Sequence, residues 1–426
     1  MTGRGVWRLG ELVHRATLLG GIAIGGLASG GTAWAGDWPQ ILGPDRNGHA
    51  AKDERLSEAW PKDGPKVVWE RAVGRGFASI SVADGTAILF HREGDEQAVE
   101  ALDAATGKPL WRHARPTRYV STISEDDGPR ATPVIHDGRV FCLGADGELF
   151  CVALDSGKEI WVRHLAEEFA VPESYFGAGS TPLVEDGKLL VNVGGRRGAG
   201  IVAFRLDNGK TVWQTDEDPA SYSAPIAATA AGVRHAIFVT RYHVVSLDPA
   251  DGKERFRFAF GKRGPTVNAA VPLVCDGNVF VTASYGIGAV MATIEKDRAT
   301  PLWSGGNAMA SQYTTCVYVD GVLYGCDGRA DQPPAHLRAV DAKTGRVLWS
   351  EDGFGVAHVI AADGKCLALK DDGTLVLFKP AKDKFKPLAM AKVLDGTARA
   401  IPALAGGRLY VRDASVLRCL HVGRKE

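Results

Sequence analysis

Along most of the chain, apolar residues come in short runs, each closed by tight-turn residues. The stretch "TPVIHDGRVFCLGADGELFCVALDSGKEIWVR", Thr132 to Arg163, shows the unit. A first apolar run ends at Asp137-Gly138 and a second, alternating run follows. Then come a strand closing on an Asp-to-Gly-Lys turn and a last strand carrying a Trp. Alternation at period two between turn signals predicts β-strands. Asp-Gly suits a two-residue hairpin because Gly accepts the positive φ the turn requires.

The unit recurs. Its first-strand turns fall at Asp84-Gly85, Asp137-Gly138, Asp186-Gly187, Ala231-Gly232, Asp276-Gly277, Asp320-Gly321, Asp363-Gly364 and Gly406-Gly407, with spacings of 53, 49, 45, 45, 44, 43 and 43 residues. Four strands in roughly 45 residues is the period of a propeller blade. The last-strand aromatics are Trp69, Trp111, Trp161, Trp213, Phe256, Trp303 and Trp349, with Leu388 in the weakest repeat. The two series are out of phase: Trp69 precedes the first turn, and no Trp strand follows the last. The pattern therefore predicts an all-β, eight-bladed propeller of four-stranded antiparallel blades over 66–426. "KVVWERAV", Lys66 to Val73, supplies the outer strand of the blade begun by Ile401 to Cys419. Such closure removes a free sheet edge. Each periodic aromatic reads as a blade-to-blade dock, with the turn Gly letting ring and backbone approach closely.

The amino terminus breaks the pattern. Arg4, Arg8 and Arg15 precede the uncharged run "ATLLGGIAIGGLASGGTAWA", which ends in small residues at Ala33 and Ala35. That order predicts a secretory signal over 1–35, cleaved after Ala35, rather than a retained anchor. Residues 36–65, with four prolines, form an extended leader packed along the propeller. Export implies a bacterial periplasm or cell envelope. Charge changes the picture little: 50 acidic and 50 basic residues leave no basic stripe, which argues against a nucleic-acid partner. No membrane span is expected in the mature chain, and a monomer is. The seven cysteines contain no C-x-x-C; Cys142/Cys151 and Cys316/Cys326 flank turns, but all read best as small core residues.

"ALDAATGKPLW" and "AVDAKTGRVLW" resemble the repeat of the pyrroloquinoline quinone (PQQ) propeller superfamily, and "DWPQILGPDRNG" is similar to the start of its exported single-domain members. The resemblance covers about Asp37 to Val422. It implies one of two functions. Quinoprotein dehydrogenases hold PQQ and Ca²⁺ at the axis and oxidise alcohols or sugars; BamB-type propellers bind no cofactor and scaffold outer-membrane protein assembly. The dehydrogenase site needs oxygen ligands for Ca²⁺, a carboxylate base, a cation, adjacent cysteines and a flat Trp. This chain has no adjacent cysteines, and its periodic Trp residues are committed to docking. No cofactor, metal ligand or catalytic residue is therefore assigned. The preferred reading is a binding scaffold with an envelope protein partner, and a PQQ–Ca²⁺ oxidoreductase is the alternative.

Polar residues gather where the last strand of one blade crosses to the first strand of the next. The crossings offer Arg118, Tyr119, Glu125, Asp126 and Asp127, then Glu173, Tyr175 and Ser223. Arg130, Tyr222, Asn268, Gln312, Tyr313, His358 and Arg399 recur just before first strands and are the candidate axial-funnel binding residues. "GGRRGAG", Gly194 to Gly200, is Gly-rich but precedes no helix, so it makes no phosphate loop.

Overall fold

The computed structural model describes residues 36–172 and 175–424. The expected signal segment 1–35 and Glu173 lie outside the described residues. Eight four-stranded antiparallel sheets make the propeller. Blades 1 to 7 span 81–116, 134–164, 183–215, 226–259, 273–305, 317–351 and 357–392. Blade 8 joins Ala403–Ala405, Arg408–Arg412 and Val416–His421 to Lys66–Ala72 from the other end of the chain. Lys66 pairs with His421 and Ala72 with Val416, so the ring closes as the phase of the repeats predicted. No helix among the described residues is long and apolar enough to cross a membrane.

The predicted turns take the conformation they need. Asp84, Asp137, Asp186, Ala231, Asp276, Asp320 and Asp363 all have φ between 46° and 50°, and each is followed by a positive-φ Gly. Both faces of each sheet are buried against its neighbours. In blade 2, Cys142 and Phe150 pack with Phe90 and Val99 of blade 1, whereas Phe141, Leu149 and Cys151 pack with Leu189 and Phe204 of blade 3. Cys142 and Cys151 thus lie on opposite faces of one sheet. Cys316 and Cys326 likewise belong to different inter-blade cores, and all seven cysteines are buried and unpaired.

The aromatic docks cross from blade to blade. Trp111 Nε1 donates to Leu154 O at 2.8 Å, Trp161 to Leu206 O at 2.9 Å, Trp303 to Ala342 O at 2.8 Å and Trp349 to Ala381 O at 2.8 Å. The ring lies on the turn glycine of the following repeat: a Cβ on Gly107, Gly157, Gly209, Gly252 or Gly345 would fall 2.4–2.8 Å from the Trp of the preceding blade. Phe256 is buried in the same role without the indole donor. Leu388 does not take this position. A bulge in each of these outer strands expels the residue before the aromatic, so Leu110, Ile160, Val212, Leu302 and Leu388 are all exposed. Ala389, opposite Leu377, stands where the Trp would be.

The closing seam carries extra bonds. Trp69 Nε1, Arg408 and the Tyr410 hydroxyl all reach Ala104 O, at 3.2, 3.2 and 3.0 Å. Arg412, buried, donates to Phe90 O at 3.2 Å and Gly74 O at 2.7 Å.

The leader does more than lie along the propeller. Trp38 is fully buried and bridges to Val82, Ile135 N donates to Pro39 O at 2.8 Å, and Ala50 N donates to Ala361 O at 2.9 Å. His49 Nε2 is 2.8 Å from Tyr318 O. These partners belong to the innermost strands of two pairs of neighbouring blades, 1 with 2 and 6 with 7, on separate arcs of the ring. Residues 38–50 therefore plug the channel. Arg46 reaches furthest: its guanidinium donates to Pro225 O at 2.8 Å and to Pro182 O, and Nε donates to Gln40 Oε1 at 2.7 Å. Glu54 and Leu56 then bind the turns of blades 8 and 7, through Gly407 N at 3.0 Å and Asp363 Oδ2 at 3.1 Å.

Candidate functional site at the propeller axis

In an antiparallel blade whose strands run in sequence order, the crossings between blades and the turns between second and third strands emerge on one face. We call it the upper face. The Asp-Gly turns and docked Trp residues mark the lower one.

Where each crossing enters its first strand, hydroxyls tie neighbouring blades together. Ser79 N donates to Thr132 Oγ1 at 3.3 Å, and Thr132 N to Thr181 Oγ1 at 2.9 Å. Ser180 Oγ donates to Ser223 O at 2.8 Å, Ser223 Oγ to Ala270 O at 2.7 Å, and Val271 N to Thr315 Oγ1 at 2.9 Å. Ser79 Oγ closes back onto Ile401 O at 2.5 Å. This belt accounts for the hydroxyls of the crossings by backbone satisfaction rather than ligand binding.

His358 belongs to the belt. It lies inside the innermost strand of blade 7, Ala357–Ala362, rather than ahead of it, and its Nε2 is 2.9 Å from Arg399 O of blade 8. Burial pulls its pKa down to about 4, partly offset by that bond, so the ring is neutral and Nε2–H is the donor. Tyr313 packs on it, ring centroids 5.6 Å apart, and burial pushes the phenol up.

On the upper side, Arg130 is enclosed by aromatics. Its guanidinium lies 5.5 Å from the Phe77 ring, 5.7 Å from Phe176 and 6.0 Å from Tyr119, and donates to Gly128 O and Asp126 O, each at 2.7 Å. Burial lowers its pKa, with Tyr119 and Asp126 opposing. Arg399 stacks on Phe77 at 5.3 Å. Tyr222 packs edge-on against Phe176 at 5.5 Å, and its hydroxyl accepts from Phe176 N at 2.8 Å. Tyr222 N and Ser223 N both donate to Asn268 O, at 3.0 and 3.1 Å. The structure thus links Asn268, Tyr222, Phe176, Arg130, Phe77, Arg399, His358 and Tyr313 into one arc. Gln312 stands apart, bound to Tyr285 Oη at 3.1 Å and Asp331 Oδ1 at 2.9 Å between blades 5 and 6.

Phe77 and Asp371 were not legible as site residues. Phe77 precedes the first blade, where no earlier crossing marks it. Asp371 sits in an ordinary-looking "KDDG" turn, yet burial, then Asp372, raises its pKa, and its charge bears on both Tyr313 and Arg399.

The arc does not supply the donors that PQQ and Ca²⁺ would need. Asn268 leaves Oδ1 unpaired while its Nδ2 donates to Thr240 O at 2.9 Å, but no carboxylates converge beside it among the described residues. The docking Trp rings sit at the lower rim, and the thiols are dispersed through separate cores. His91, Glu93 and Glu100 do cluster elsewhere. There, Gly74 N donates to His91 Nδ1 at 2.8 Å, which places the ring proton on Nε2, the atom facing Glu100, and Arg71 already binds that carboxylate. A protonated nitrogen does not ligate a metal.

The family model described as outer membrane protein assembly factor BamB matches residues 2–230 and 197–350, most of the chain. The chain belongs to this family. The BamB of Burkholderia pseudomallei (strain K96243) is 25% identical over 378 residues, covering 84% of this chain and 87% of its own length. Among solved structures, BamB from Moraxella catarrhalis superposes with a TM-score of 0.60 at 15% identity, covering 85% of this chain and 98% of that one. The quinohemoprotein alcohol dehydrogenase of Comamonas testosteroni gives 0.61 at 14% identity, covering 92% and 81%. Both structures share the BamB-type propeller fold with this chain; fold alone does not separate their functions.

Proposed function

We propose that this chain is an exported, non-catalytic propeller that presents its upper face to a protein partner in outer-membrane protein assembly. The observation that carries the reading is the match to a BamB assembly factor over 84% of this chain, on an axis where Ser180, Ser223 and His358 bind neighbouring blades. The long crossing before blade 2 gives the partner an apolar foothold, because Val120 and Ile123 are 69% and 55% exposed there. Crosslinking of the purified chain in outer-membrane extracts, followed by mass spectrometry, tests this. The expected result is enrichment of an assembly component, weakened by Val120→Asp with Ile123→Asp; enrichment of none would reject the proposal. Calorimetric titration with PQQ, with and without Ca²⁺, tests it from the other side, since saturable binding would overturn the non-catalytic reading. Export predicts Gly36 as the mature amino terminus, readable by intact mass.

A further inference from the structure

Between blades 2 and 3, opening on the upper face and reaching the crossing into blade 4 at Pro219 to Tyr222, lies a cavity of about 240 Å³. Leu143, Leu165, Val171, Val191 and Val193 make its walls apolar, and Tyr119 and Tyr222 stand at its axial side. Its polar edge, toward blade 4, is set by Asn192. Asn192 is the fifth residue after the turn glycine Gly187; the same position in blade 8 is Arg412, which spans the gap to the next blade. Asn192 reaches only Val239 O of blade 4, at 3.4 Å through Nδ2, and the Ser221 hydroxyl already donates to that carbonyl.

The amide orientation follows from this. Turning it over would set Oδ1 against Val239 O, so Nδ2 faces the carbonyl and Oδ1 is left over. Asn192 is 4% exposed, and its Oδ1 has no partner; nor does the Tyr119 hydroxyl, also in the lining. A buried, unmade acceptor is costly, which argues for something that fills the cavity and supplies the donor.

We propose that this cavity is a binding site for a small, neutral, flat molecule with a mostly apolar body and one N–H or O–H donor. The donor meets Asn192 Oδ1, and the Tyr119 hydroxyl offers a second contact. Size sets the upper bound: a dry cavity of about 150 Å³ holds benzene, so this one admits a fused bicyclic ring and little more. Charge sets the rest. Among the described residues no Lys, Arg or His lines the cavity, and Asp146 does, so carboxylates and phosphates are disfavoured. The site is independent of the partner-binding reading.

Indole is the probe. Ligand-observed NMR and a titrated thermal shift on the whole chain should show saturable binding with a Kd on the order of hundreds of micromolar. 1-Methylindole, which lacks the donor, should bind roughly tenfold more weakly, as should indole to Asn192→Leu. Ala166→Trp, at a half-exposed wall position, fills the mouth without touching Asn192 and should abolish binding while the melting temperature holds. Absence of indole binding, equal binding of 1-methylindole, or unchanged binding to a folded Ala166→Trp variant would each overturn the proposal.

Discussion

Arg46 donates to the carbonyl of Pro225 at 2.8 Å across 179 residues of chain, joining the leader to the inside of the ring. No carboxylate shares that pocket's work: burial alone pulls the Arg46 pKa down to about 9, and carbonyls hold the guanidinium. The leader is therefore part of the fold's axis rather than a tether.

Removing the guanidinium leaves the buried carbonyls of Pro225 and Pro182 without that donor. Arg46→Met should cost about 3 kcal/mol in urea unfolding and expose residues 36–50 to limited proteolysis. A variant as stable and as protease-resistant as the parent would show that the plug is incidental.

Trp111 and Gly157 offer a cleaner comparison. Gly157 and Gly138 both have φ +67°, but a Cβ on Gly157 would lie 2.4 Å from the Trp111 ring, while Gly138 has open space around it. Gly138→Ala should cost about 1 kcal/mol, the strain of positive φ alone. Gly157→Ala should cost about 3 kcal/mol, since ring or backbone must also shift. Equal losses in paired denaturant curves would mean that the ring contact carries no weight.

These two cases mark what the sequence makes legible. Asp-Gly turns and Trp residues repeat with a period, so blade count, closure and docking could be read from residues such as Trp69 and Gly407 without coordinates. Leu388 misleads because the dock position of blade 7 holds the small Ala389, and Leu388 beside it is the residue that the shared outer-strand bulge expels. Arg46 and Asn192 are silent for another reason. Each acts through one non-periodic contact, with a partner 179 and 47 residues away, and only the closed ring brings those partners near. At the axis, the polar crossings were legible as a group, but the contact of His358 with the neighbouring blade, 2.9 Å from Arg399 O, was not.

The cysteines should behave as core residues. Burial pushes the thiols of Cys151, Cys275, Cys326 and Cys419 up to about 12, and raises those of Cys142 and Cys316 too. Native protein at pH 8 should leave a thiol-specific disulfide reagent unreacted, whereas protein in guanidinium should titrate seven thiols. A denatured count of five or fewer would indicate disulfides, which the opposite-face placement of Cys142 and Cys151 opposes.

His358 gives the protein an acid limb. Its pKa is about 4 in the fold and the ordinary 6.5 when unfolded, so the unfolded chain binds the proton first. The histidine's contribution is complete above pH 6.5 and is lost as pH falls toward 4, amounting to about 3 kcal/mol over that window. His113 and His235, both lowered first by burial, slope the same way. His358→Gln keeps a donor near Arg399 O but cannot titrate in this range. Its urea midpoint should therefore vary less between pH 7.5 and pH 4.5 than the parent's, with the two proteins converging at the acid end. If both lose the same stability over that interval, the buried His358 is not what senses the proton, and the belt at blades 7 and 8 would have to hold the charged ring by some contact other than Arg399 O.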